Sequence, residues 1–161
     1  MRRNLSTLAI ARLTQRLQDY LSAPKRDIFQ EEARQLQALP VFLDLFAIWY
    51  IRPTGEILLS NYNDQTDDWD VSIFEPADEQ GTLETNWHTW IRLLVLNTAT
   101  MRYPEFAELL PLRAPETPDC PDCHGTGKKI GTDGQPINFP CRGCASLGWV
   151  PPELTASLRQ A

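Results

Sequence analysis

The chain has 161 residues, 42% of them hydrophobic, with fifteen basic against twenty-one acidic side chains and a formal net charge of −6. That size supports one main core with a small appendage, and the acidic balance disfavours nucleic acid as a partner, because neutralising phosphates takes a basic face. No apolar run approaches the roughly 20 residues of a membrane span, and Arg12 and Arg16 interrupt any signal-peptide core behind Met1-Arg2-Arg3, so no membrane association and a cytoplasmic location are expected.

In chain order, Asn4 or Ser6 is placed to cap a first helix reaching about Leu21. Leu5, Leu8, Leu13, Leu17, Tyr20 and Leu21 recur near the 3.6-residue period, while Arg12, Gln15, Arg16 and Asp19 face away. Pro24 breaks the helix. A second helix is predicted from Asp27 to Leu39, with Asp27 and Gln30 spaced as a capping box and Pro40 as its stop.

From Val41 the pattern turns β-rich. Phe42, Leu45, Phe46, Ile48, Trp49, Tyr50 and Ile51 form a run too apolar for an edge strand. Arg52-Pro53-Thr54-Gly55 reads as a turn and Glu56 to Tyr62 as the returning strand, which predicts a β-hairpin over 45–62. A third strand can follow at Trp69 to Phe74, and Pro76 to Gly81 reads as loop.

Between these strands Asp64, Asp67, Asp68 and Asp70 fall within seven residues, interleaved with Tyr62 and Trp69. The glycine and terminal glutamate of an EF-hand are missing, and no histidine or nucleophile flanks the carboxylates. Two readings stay open: a solvated loop, or a docking patch in which aromatic residues anchor a basic protein and carboxylates steer it.

Thr82 can cap a long helix over roughly 83–101, with Leu83, Trp87, Trp90, Ile91, Leu94 and Met101 on its apolar face and His88 beside it. Pro104 starts a short helical turn through Leu110, and Pro111 to Pro118 is a stiff linker.

All four cysteines lie beyond that linker, as Cys120-x-x-Cys123 and Cys141-x-x-Cys144 separated by seventeen residues. Two residues between thiolates let both sulfurs face one centre, and a second such pair completes a tetrahedron suited to one structural zinc ion per chain. Competing readings are haem attachment at Cys120 to His124, a thioredoxin-like redox pair, and two disulfides. Haem attachment would strand Cys141 and Cys144, prolines precede the site where a strand and helix start would be needed, and no export signal is visible. Zinc on Cys120, Cys123, Cys141 and Cys144 is the reading kept, with His124 a solvent-facing neighbour.

Cys120 to Gly127 resembles one repeat of the cysteine-rich zinc module of DnaJ-type co-chaperones, Cys-x-x-Cys-x-Gly-x-Gly. Cys141 to Gly148 keeps both cysteines and the last glycine but has Ser146 at the first glycine position. The family's module carries four repeats and two zincs, so the resemblance, confined to residues 120–149, implies one zinc here. The His-Pro-Asp tripeptide of the J-domain is absent. The resemblance also implies a groove that Ile130, Ile137, Phe139, Leu147 and Trp149 could line, unless these five build the module's small core.

A looser resemblance is to bacterial immunity proteins of the SUKH superfamily, carried by helices before a central hairpin, an acidic face, and Leu109-Leu110-Pro111-x-Arg113-x-x-Glu116 leading into the first cysteine pair. It implies binding of a cognate toxin, with Asp64, Asp67, Asp68, Trp69 and Asp70 as contacts.

No Walker loop, dinucleotide fingerprint, Gly-x-Ser-x-Gly or His-Glu-x-x-His occurs, and there are two histidines in all. A non-enzymatic protein is expected. The fold class is α+β: N-terminal helices, a central antiparallel hairpin or small sheet, a long amphipathic helix, then a four-cysteine zinc knuckle. The expected domains are a globular body over 1–110, a linker over 111–118, a zinc module over 119–152 and a tail over 153–161. Function rests on protein–protein interaction, either immunity-type neutralisation of a basic toxin domain or adaptor binding through the zinc module.

Overall fold

A computed structural model of the chain describes residues 4–24, 27–44, 47–74 and 83–154, the side chains of 83–87 excepted. It is an α+β fold with a four-cysteine knuckle near its C-terminal end. Contacts group Met1–Phe74 with Thr98–Leu109 as one compact unit, and Glu75–Asn97 with Leu110–Ala161 as another.

In the first unit the Ser6 hydroxyl accepts the amide of Ala9 at 3.1 Å and starts helix α1, Thr7–Ser22. Ala9, Leu13 and Leu17 are its buried stripe. Helix α2 spans Gln30–Leu36, shorter at both ends than the predicted Asp27 to Leu39. Tertiary bonds take over its expected cap. The Asp27 carboxylate accepts from the Phe29 amide and the Tyr20 hydroxyl, while the Gln30 amide donates to the Tyr20 and Ala23 carbonyls at 2.8 and 3.2 Å. At the other end Gln37 turns left-handed at φ 52, and the Ala38 amide closes on the Ala33 carbonyl. Pro40 is therefore no helix stop: it lies in strand β1, Leu39–Leu43, at a sheet edge that tolerates proline.

Strands β2 (Ala47–Ile51), β3 (Ile57–Asn63) and β4 (Asp68–Ile73) continue an antiparallel meander in the order β1-β2-β3-β4. The predicted hairpin is its central step; Leu45 and Phe46 lie outside the described residues. The Arg52-to-Gly55 turn forms, with the Gly55 amide on the Arg52 carbonyl at 2.8 Å and Gly55 at φ 94. One face of the sheet carries Ile48, Tyr50 and Leu58, packed with Ala33, Ala38, Phe29 and Leu36 from the α2 region and with Tyr20 and Leu21 from α1. On the other, Trp49 stacks on Phe42 and meets Phe74 edge-on. Strand β4 alone is exposed at all six residues.

A 3-10 helix, Pro104–Leu109, buries Phe106 and Leu109 in the same unit. Glu105 pairs with Arg16 at 2.8 Å, Glu108 accepts from both the amide and hydroxyl of Ser6, and the Tyr103 hydroxyl donates to the Pro40 carbonyl.

Helix α3, Leu83–Arg102, contributes residues to both units. Its buried residues include Ile91, Leu93, Val95, Leu96 and Ala99, whereas Met101, expected on the apolar face, is 76% exposed. A helix with two units to serve is apolar around more than one stripe, so a single face misplaces its end. Thr82 and the Pro76-to-Gly81 loop lie outside the described residues, as do 155–161 of the tail. Among the described residues no helix is long and apolar enough to cross a membrane.

Candidate metal centre

The second unit holds the four cysteines, all buried, with their sulfurs within 4.8 Å of one another. Cys120 and Cys141 sulfurs are 3.9 Å apart, Cys123 and Cys144 sulfurs 3.7 Å. A disulfide would need about 2.05 Å. Four thiolates at about 2.3 Å from a zinc ion form a tetrahedron with edges of about 3.8 Å, so the spacing fits a metal ion and excludes bridged pairs in this arrangement.

The two halves repeat one backbone pattern. The Cys120 amide donates to the Gly148 carbonyl at 2.8 Å, and the Cys141 amide to the Gly127 carbonyl at 3.0 Å. The Gly127 amide donates to the Cys123 sulfur and the Gly148 amide to the Cys144 sulfur, each at 3.3 Å. After each second cysteine the chain turns left-handed twice: His124 and Gly125 at φ 53 and 83, Ala145 and Ser146 at φ 52 and 68. Ser146 thus adopts the conformation of the glycine it replaces. His124 is exposed and outside the sulfur cluster.

Electrostatics favour a bound cation. Burial pushes the Cys141 and Cys144 thiols up, as expected where thiolates lack a counter-charge. Burial acts on Cys123 as well, but the Gly127 and Gly125 amides and the neighbouring sulfurs hold it below its ordinary value. Backbone N–H groups aimed at sulfur stabilise the thiolate, the form that ligates metal.

Support comes from a helix the sequence did not tie to the site. The Trp90 indole donates to the Arg142 carbonyl at 2.8 Å and the Asn97 amide to the Ser146 carbonyl at 2.9 Å. Leu93 packs with Ala145 and Leu154, flanked by Trp90, Leu94, Leu147 and Val150. Asn97, a polar residue late in an apolar helix, was the available signal.

Strands β5 (Lys128–Ile130) and β6 (Pro136–Pro140) form a hairpin between the cysteine pairs. The five apolar residues noted above divide. Ile130 and Leu147 are half-buried and Trp149 buried, while Ile137 and Phe139 are 42% and 55% exposed, with the Lys129 ammonium 5.9 Å from the Phe139 ring.

In the first unit, Asp64, Asp67, Asp68, Trp69 and Asp70 gather on the β3–β4 hairpin, all exposed. The loop is built rather than slack. Tyr62 donates to Asp67, Asn63 bonds Asp70 at 2.9 Å, and the Asn63 side chain accepts the Gln65 amide. The bond to Asp67 holds the Tyr62 hydroxyl above its ordinary range. Tyr62 and Trp69 meet edge-to-face with centroids 5.7 Å apart.

Compared with protein-family models, curated proteins and solved structures, the chain matches none of them.

Proposed function

We propose that this is a non-enzymatic protein in which four thiolates hold one structural zinc ion, and which acts by binding a basic protein domain at the tip of its sheet. The observation that carries the reading is the exposed Tyr62–Trp69 pair set among Asp64, Asp67, Asp68 and Asp70. Rigid aromatic area on one face, with carboxylates at the hairpin tip and along the same strand, suits an anchor with electrostatic steering. Soft thiolates in a tetrahedron favour zinc, and a site closed by four sulfurs leaves no position for water or substrate, so the ion orders the chain. The resemblance of the element order and of Leu109 to Glu116 to SUKH immunity proteins supports a toxin as that partner, such as a nuclease with a basic face.

The test is a titration with a basic nuclease-toxin domain, taken from the gene's neighbourhood where one is encoded there. Asp67→Lys/Asp68→Lys should weaken binding at least about tenfold and flatten its salt dependence; unchanged affinity removes the patch from the reading. For the metal, one zinc per chain and four thiols released together on chelation are expected.

The exposure of Ile137 and Phe139 favours a second reading, an adaptor that grips partners through the β5–β6 hairpin. Ile137→Ser/Phe139→Ser would then abolish binding while the aspartate variant leaves it intact.

A further inference from the structure

The two edges of the four-stranded sheet are built differently. β1 carries Pro40 and a register break between Pro40 and Phe42, the devices by which natural edges resist a further strand. β4 has neither. It reads Asp68-Trp69-Asp70-Val71-Ser72-Ile73, with no proline or lysine, and holds unbroken register with β3 from Leu58 opposite Ile73 to Asn63 opposite Asp68. Among the described residues no strand pairs with its outer edge.

The Phe74 amide donates inward to the Ile57 carbonyl at 2.8 Å. Because main-chain groups alternate along an antiparallel pair, Trp69, Val71 and Ile73 turn their amides and carbonyls outward. The Trp69 amide is held by the Asp68 carboxylate at 2.8 Å, which leaves those of Val71 and Ile73 on offer. Side chains alternate too: Trp69, Val71 and Ile73, 40 to 49% exposed, lie on one face, and Asp68, Asp70 and Ser72 on the other.

Charge chooses the occupant. A second β4 would bring Asp68 and Asp70 of each copy against carboxylates of the other, and like charges across a strand pair repel. A basic strand would be attracted. Resting on the partner-binding reading above, we infer that the partner docks by adding an extended basic strand to the outer edge of β4. Its Lys or Arg residues meet Asp68 and Asp70, and its alternate apolar residues pack beside Trp69, Val71 and Ile73.

The probe is a twelve-residue peptide of alternating Lys and Val, added to the metal-loaded full-length chain. Val71→Pro removes an outward amide without a ladder bond, so the fold should tolerate it; Val71→Ala keeps the amide. Val71→Ala should bind within about threefold of the parent and Val71→Pro at least about tenfold more weakly. The peptide should also slow hydrogen exchange at the Val71 and Ile73 amides of the unaltered chain, a readout that stands even if Val71→Pro misfolds. Equal binding by Val71→Pro, or no protection at those amides, overturns strand addition; if Asp67→Lys/Asp68→Lys still weakens that binding, the acidic-patch reading survives alone. Absence of binding to the unaltered chain overturns it too. A homodimer of the unaltered chain that Val71→Pro dissociates makes the occupant a second copy and overturns the basic partner.

Discussion

A side-chain carbon on Gly127 would stand 2.5 Å from the carbonyl oxygen of Ser146. The mirror contact is nearly as close, since one on Gly148 would stand 2.7 Å from the Gly125 carbonyl. Each knuckle is thus locked by the glycine of the other, and the two cysteine pairs come together as one object.

Gly127→Ala tests that lock. Gly127 sits at φ 73, so alanine there meets both a left-handed backbone and a rigid neighbour. A loss of about 2–4 kcal/mol is expected in the metal-loaded protein, read by thermal unfolding and by competition with a zinc chelator.

Ser146 separates conformation from chemistry. It stands at φ 68, a region that costs serine a little and a β-branched residue more. Ser146→Gly should stay within about 0.5 kcal/mol of the parent, relief of strain being offset by the freer unfolded chain. Ser146→Val should lose about 1–2 kcal/mol. Equal stability of the two variants would mean the turn is not left-handed.

The pH dependence should change sign with metal. Zinc needs thiolates, so protons compete and the loaded protein should release its ion and lose stability as pH falls. In chelated protein the Cys141 and Cys144 thiols are raised by burial. Such groups add stability below the ordinary thiol range and lose it as pH rises through and above that range. Cys123, lowered overall, contributes with the opposite sign below that range. Denaturant unfolding of loaded and chelated samples across pH checks both slopes.

Asn97→Ala should cost about 1 kcal/mol, because it leaves the Ser146 carbonyl without the amide that satisfies it at 2.9 Å. Its effect should fall on chelator resistance, since the bond reaches the turn that carries Cys144. Truncation before Cys120 should do worse, stripping Ala145 and Leu154 from Leu93 and exposing apolar surface detectable by dye binding.

In the other unit the Arg16 guanidinium, by its hydrogen bond, holds the Glu105 carboxyl below its usual range. That pair adds stability above the ordinary carboxylate value and loses it as pH falls through the lowered one. Arg16 is 42% exposed at its side chain, so solvent screening keeps Glu105→Gln under about 1 kcal/mol at neutral pH.

Much of the metal site was readable in the chain, because two residues between cysteines and glycines at fixed offsets are local geometry. Helix α1 was readable for the same reason, its cap and most of its stripe lying within a few turns of each other. Leu8, read on that stripe, is however 60% exposed, and Ala9 is buried in its place. Helix α2 was not: Asp27 and Gln30 carry the spacing of a cap, yet bonds to Tyr20 and Ala23, residues of another element, draw them away. Nor was the run from Val41 too apolar for an edge: Phe42 lies in β1, an edge strand that begins at Leu39, since which strand ends a sheet depends on pairing partners far along the sequence.

The residue order alone determined which side chains can meet a metal and which stretches are acidic or apolar. Tertiary structure determined who faces whom. It set Asn97 on the knuckle, left Val71 and Ile73 at an edge that no described strand covers, and gathered four aspartates and two rings on one hairpin. Spacing acts over a few bonds, whereas burial and strand order depend on groups that only folding makes neighbours.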